Sequence, residues 1–134
     1  MGATAIALVG FAGWFVLLSI AMALYRLTAI QAGKPVNSFA ADGSDLAPLG
    51  RRLTRARDNC YESLPAFVAL ALGAYIGGRL DVVDGLAMWV LYARIGQSLV
   101  HVASTSPTAV QVRAALFFAQ VAIYLYWAVR LLVG

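Results

Sequence analysis

Apolar residues run almost unbroken from Ala3 to Tyr25, and no charge appears before Arg26. A stretch of that length predicts a helix able to cross a hydrocarbon core about 30 Å thick. Turn signals follow: Gly33-Lys34-Pro35, Asp42-Gly43-Ser44-Asp45 and then Pro48 mark a long connection. Three further apolar stretches alternate with short polar breaks at Arg79 to Asp84 and Ser104 to Thr108. The pattern predicts spans over about 3–26, 55–78, 85–104 and 108–132, with one loop over about 27–54. The fold class is therefore all-α: an integral membrane four-helix bundle forming one domain over residues 1–134. Ser106-Pro107 supplies an N-cap and a first helical residue for the last span. Pro65 predicts a kink in the second.

Composition strengthens this reading, since 62% of the 134 residues are hydrophobic and only 12% are charged. The net charge of +4 raises the question of nucleic acid, but the basic residues gather at helix ends, with no aromatic-interleaved basic surface, so no nucleic-acid partner is expected. Six basic residues between Arg26 and Arg57 face only Asp42 and Asp45, whereas the Arg79–Asp84 break holds one basic and two acidic residues. The positive-inside bias then places the first loop in the cytoplasm and both termini outside. Ala21-Met22-Ala23 resembles a cleavage site, but nothing basic precedes the apolar stretch, so it reads as an uncleaved first span. The lone cysteine, Cys60, reads as a packing residue, and no metal-ligand spacing occurs. Tyr124, Tyr126 and Trp127 predict an outer aromatic belt, and Gly73 and Gly77 a close helix approach.

The polar residues inside the spans carry the chemistry. The uncharged part of the second span, Ser63 to Gly78, is only 16 residues long, so Asn59 and Glu62 must enter the membrane. Arg55, Asp58, Asn59 and Glu62 recur at steps of three and four, which stacks them on one helix face. Arg94, Gln97, Ser98, His101 and Thr105 do the same in the third span, and Arg113, Gln120 and Tyr124 in the fourth. Three such stripes cannot all face lipid, and they predict a buried polar cavity. Glu62 and Arg94 fall at similar depth and are expected to pair. Arg26, Arg55, Arg94 and Arg113 still outnumber Asp58 and Glu62, so an anionic occupant is expected, carboxylates being the natural match for guanidinium groups. Two plainer readings compete: a buried ion pair that only fixes helix register, and arginines that merely snorkel to headgroups.

The run Arg55-Ala56-Arg57-Asp58-Asn59-Cys60-Tyr61-Glu62-Ser63-Leu64-Pro65-Ala66-Phe67 resembles the Arg-Ala-x-x-Asn-x-x-Glu-x-x-Pro-x-Phe signature of the MAPEG family, the membrane-associated proteins in eicosanoid and glutathione metabolism. Tyr92-Ala93-Arg94 with His101, then Arg113 with Phe117, looks like that family's third and fourth helices. The resemblance implies a homotrimer binding glutathione between subunits near the cytoplasmic side. Carried over by position, Arg55, Asn59 and Glu62 would hold glutathione, together with Arg26, Arg94, Gln97 and His101, while Arg113 would stabilise its thiolate. His101 stands where catalytic members usually have tyrosine, and Gln97 where others have histidine or tyrosine. The implied activity is a glutathione-dependent transferase or peroxidase acting on a lipophilic electrophile or lipid hydroperoxide. The alternative is a non-catalytic lipid-binding or scaffold protein of the same family. Membrane lipids and a lipophilic small molecule are the expected partners, and the lack of an organelle signal points to a bacterial inner membrane.

Overall fold

A computed structural model describes all 134 residues as four helices and no strands: α1 (Ala3–Gln31), α2 (Pro48–Ile76), α3 (Leu80–Ala103) and α4 (Pro107–Val133). Only α1 and α4 are both long and apolar enough to cross a membrane on composition, with mean hydropathy of 2.3 and 1.8 over their best windows. The arrangement explains where the other two belong. α2 and α3 each pack against all three other helices, whereas α1 and α4 do not touch. The polar pair is thus flanked by the apolar pair, and α3 turns Arg94, Gln97, Ser98 and His101 into the protein interior. Exposed Val9, Val16, Leu17 and Leu24 on α1, and Phe118, Leu125 and Val129 on α4, give the outside an oily surface suited to lipid.

Helix ends differ from the expected span limits for identifiable reasons. The long connection is 32–47 instead of 27–54, because α2 begins at Pro48, whose fixed φ suits the first helical position after extended Ala47. Its first turn is held by a close approach: a Cβ at Gly50 would lie 2.4 Å from Tyr25 Cε1, so only glycine lets α2 sit on α1 there. α2 ends in a Schellman motif, with Gly78 at φ 64°, Gly78 N–H donating to Tyr75 O (3.2 Å) and Arg79 N–H to Ala74 O (2.7 Å). That turn is compact, so α3 starts at Leu80, and Asp81 and Asp84 belong to the helix and not to a loop. Both acids suit a helix N-terminus. Asp84 also reaches across to α1, accepting from the Thr4 N–H (3.1 Å) and the Thr4 hydroxyl, which satisfies one of α1's unpaired first-turn donors. Ser106 caps α4 by accepting from Ala109 N–H at 3.2 Å.

The core is mainly small and aliphatic side chains around one aromatic cluster. Phe67 lies 5.4 Å from Phe11, 6.3 Å from Tyr124 and 6.0 Å from Trp127, centroid to centroid. Trp127 is fully buried, so it and half-buried Tyr124 belong to this core and not to an outer belt; their spacing of three along α4 puts both on its inward face. Tyr126 alone of that trio is exposed, with the Arg130 guanidinium 6.0 Å from its ring. Gly73 faces open space, and the tight helix approach falls at Gly10, where an added Cβ would meet a Leu91 methyl at 2.7 Å. α2 runs through Pro65 as one continuous helix.

Candidate functional site

Polar side chains converge at the end of the bundle where α2 begins, α3 ends and α4 begins. Two cavities open there. The first, about 360 Å³, is lined by Arg51, Arg52, Arg55 and Arg113 with Pro48, His101 and Thr105, and contains no carboxylate. The second, about 410 Å³, is lined by Asp42, Ser44, Asp58, Asn59 and Glu62 with Arg51, Arg55 and His101. Arg51, Arg55 and His101 belong to both and form the boundary between them. Helical spacing brings the α2 residues together: Arg51, Arg55, Asp58 and Glu62 follow at steps of four, three and four, one stripe along one face. The N-terminus of α2 adds its own partial positive charge to the arginines of the first cavity.

His101 is the hub. Its Nδ1 lies 2.7 Å from Arg113 Nη1, its Nε2 lies 3.1 Å from the same atom, and its Nε2 is 2.8 Å from the Asn59 carboxamide. A guanidinium has no lone pair to offer, so the imidazole nitrogen facing it accepts and carries no proton. The atom 2.8 Å from Nε2 is Asn59 Nδ2, also a donor, and a neutral ring keeps a proton on one nitrogen, so the pairing closes with the Asn59 carboxamide rotated to present Oδ1 to Nε2–H. The chain Asn59–His101–Arg113 therefore links α2, α3 and α4 across the mouth of the cavities. Arg113 Nε is buried without a partner. Arg52 fixes the rim, donating from Nε to Val102 O at 2.8 Å and satisfying one of the last carbonyls of α3.

Deeper in the bundle lies Arg94, only 1% exposed. The expected pairing with Glu62 does not form: the ion pairs of the protein are Lys34–Asp45, Arg57–Asp58 and Arg79–Asp81. Glu62 instead stays on the exposed face of α2, at the second cavity. Arg94 Nη1 donates to the Asn59 carbonyl at 3.2 Å, and its guanidinium lies 5.6 Å from the Phe11 ring. Arg94 Nε, Gln120 Oε1, Tyr124 Oη and Trp127 Nε1 have no partner in this interior. Gln97 accepts from Gln120 Nε2 at 3.0 Å and so ties α3 to α4.

Of the residues singled out in the sequence, Arg55, Asn59, Glu62, His101 and Arg113 meet around the two cavities. Arg94 and Gln97 lie below them in the buried core. Arg26 stands apart, its guanidinium 5.4 Å from the Phe39 ring, with Lys34 Nζ at 5.2 Å from the same ring. That contact and the 2.8 Å Lys34–Asp45 ion pair fold the 32–47 connection onto the bundle, which carries Asp42 and Ser44 to the second cavity. Hydrogen bonds from the Ser44 N–H and hydroxyl hold the Asp42 carboxyl below its ordinary value, and Lys34 does the same for Asp45. Sequence reading missed Arg51, Arg52, Asp42 and Ser44 by assigning 27–54 to a loop. The available signal was Pro48, a helix-starting residue that places Arg51, Arg52 and Arg55 on the first turns of α2.

A lipid-facing bundle with a buried polar core and an arginine-rich mouth defines a membrane-associated helical protein with an arginine-lined cavity. The chain belongs to the MAPEG family, whose family model matches residues 4–133, nearly the whole length. No curated protein and no solved structure matches it.

Proposed function

We propose that the protein is a glutathione-dependent membrane transferase or peroxidase acting on lipophilic electrophiles or lipid hydroperoxides. The observation that carries the reading is the position of Arg113: a guanidinium lining a polar cavity, on the helix that also faces lipid. Glutathione offers two carboxylates, one ammonium and one thiol, and the second cavity offers matching groups. Arg51 and Arg55 pair with the carboxylates, Glu62 takes the ammonium, and Asn59 provides amide hydrogen bonds. Arg113, which reaches this cavity's edge through the shared His101, holds the negative charge on sulfur, and a nearby cation lowers a thiol from its usual value of about 8.5. In the peroxidase reaction two thiols and one hydroperoxide give a disulfide, an alcohol and water; in the transferase reaction the sulfur bonds to carbon and the displaced or opened group takes the proton.

The polar face of α2 supports a homotrimer. Arg55, Tyr61 and Glu62 are exposed on a helix set among lipid-facing neighbours, and burial against a second copy would remove them from hydrocarbon. The arginine-rich end is then the cytoplasmic one, following the positive-inside bias, with α2 and α3 completing four spans. A second reading, a non-catalytic lipid-binding or scaffold protein, draws on Arg113 being engaged already by His101 at 2.7 Å. Titrating glutathione into the detergent-solubilised protein and following ultraviolet thiolate absorbance separates the two. The enzyme reading expects a saturable signal that Arg113→Ala removes; an absent signal in the wild type leaves the scaffold.

A further inference from the structure

Arg113 has a single anchor. Its Nη1 bonds to His101, it joins none of the protein's ion pairs, and its Nε is buried without a partner. A guanidinium on a long flexible side chain, crowded in one cavity by Arg51, Arg52 and Arg55, would otherwise turn away from its like-charged neighbours. Local structure sets the anchor in place. α3 ends at Ala103 and α4 begins at Pro107, so the short turn capped by Ser106 lays the last turn of one helix against the first turns of the next. His101 is 7% exposed, and both of its ring nitrogens are committed: Nδ1 to Arg113 Nη1 at 2.7 Å and Nε2 to the Asn59 carboxamide at 2.8 Å. Asn59 is held in turn from below, its backbone carbonyl accepting from Arg94 Nη1 at 3.2 Å. A ring that accepts at Nδ1 and donates at Nε2 does both only as the neutral Nε2–H tautomer. The family resemblance implies that His101 holds glutathione, but with both nitrogens taken the ring has no donor or acceptor left for a ligand.

We propose that His101 is a positioning residue and not a ligand contact: as the neutral Nε2–H tautomer it holds Arg113 at the border of the two cavities, where the thiol sulfur lies. The same tautomer orients Asn59. With Oδ1 turned to the ring, Asn59 Nδ2 is left to donate to a ligand in the mixed cavity that Asn59 lines. One proton position thus sets two hydrogen-bond directions, a guanidinium toward the sulfur and an amide toward the peptide. The opposite tautomer would face the Arg113 donor with a second donor and undo both. The place of the sulfur rests on the glutathione reading, whereas the tautomer and the anchoring of Arg113 belong to the protein without any ligand.

The sequence holds one histidine, so every imidazole signal comes from His101. Nitrogen NMR of isotope-labelled histidine in the full-length protein, in phosphatidylcholine nanodiscs at neutral pH and without glutathione, is expected to show a neutral ring with its proton on Nε2 and a bare Nδ1. The Nδ1 signal should shift in Arg113→Ala, where it loses its donor. An imidazolium, an Nδ1–H ring, or a spectrum unchanged in Arg113→Ala would overturn the proposal. Kinetics with glutathione then separates positioning from ligand contact. His101→Leu should lower kcat about tenfold while KM for glutathione moves less than about threefold. His101→Gln, whose carboxamide both accepts and donates, should restore most of the lost kcat and guards against a variant that merely misfolds. A KM that rises as far as kcat falls, or a glutamine variant no better than the leucine one, would overturn the role. A wild-type protein with the Nε2–H ring and the Arg113→Ala shift, but with no thiolate absorbance on adding glutathione, would remove the glutathione reading and uphold the anchoring of Arg113 by His101.

Discussion

The two ends of the bundle handle polar groups in opposite ways. At the α1 N-terminus, Asp84 accepts from both the backbone and the hydroxyl of Thr4, and the contact closes on itself within an otherwise apolar surround of Ala5, Leu8, Val68 and Leu72. At the other end, seven charged groups line two open cavities, and below them Arg94 is buried with no carboxylate partner. A polar group kept for stability is expected to have its hydrogen bonds satisfied by the chain itself. One kept for function retains donors that point into space a ligand can fill. The difference teaches which charges to assign to folding and which to chemistry.

The comparison predicts separable losses. The largest effect should come from Arg113→Ala, which is expected to lower glutathione-dependent turnover on the order of 100-fold, about 2.7 kcal/mol in barrier. It should move the bound thiol back toward its free value of about 8.5 while thermal stability falls only modestly, by about 1 kcal/mol for the lost Arg113–His101 hydrogen bond. Absorbance titration of the thiolate and a melting curve in the same detergent measure both; a large drop in melting temperature with the thiolate intact would reverse the assignment. Next comes Asp84→Ala, which strands the Thr4 donors and should cost about 2 kcal/mol of stability with turnover per folded molecule preserved. Chemical unfolding compared with specific activity checks it.

Arg94→Met probes the case between these extremes. Methionine replaces a buried charge that has no acidic partner with an apolar chain of similar length, so the variant should be at least as stable as wild type, by about 1 kcal/mol. If Arg94 is there for chemistry, that gain comes with reduced turnover; unchanged turnover would move Arg94 to the structural side. The smallest change is Ser106→Ala, which removes the α4 cap and should cost about 1 kcal/mol, read as a modest fall in unfolding midpoint with no change in the thiolate titration.

Much of this was visible in the chain. The apolar runs fixed the number and type of helices, Ser106-Pro107 marked the start of α4, and the polar residues at steps of three and four announced stripes that had to converge. Arg55, Asn59, Glu62, His101 and Arg113 were legible as members of polar stripes from helical period and as candidate site residues from the family resemblance. Partner choice was not legible. Depth along two helices suggested Glu62 with Arg94, but depth does not set the rotation of one helix about its axis relative to another, and it is rotation that leaves Glu62 at the cavity and turns Arg94 to the Asn59 carbonyl.

Local sequence also could not tell that the 32–47 connection folds back, since its Phe39, Lys34 and Asp45 contacts bring together residues from separate turns. That closure is what brings Asp42 to the site. Periodicity and composition thus determined the helices, their polar faces and their preference for lipid, because those depend on spacing along a single helix. Tertiary packing alone decided which apolar helices shield the polar pair, where the arginines gather without carboxylates, and which buried groups are left without partners, because each of these depends on how four helices are turned against one another.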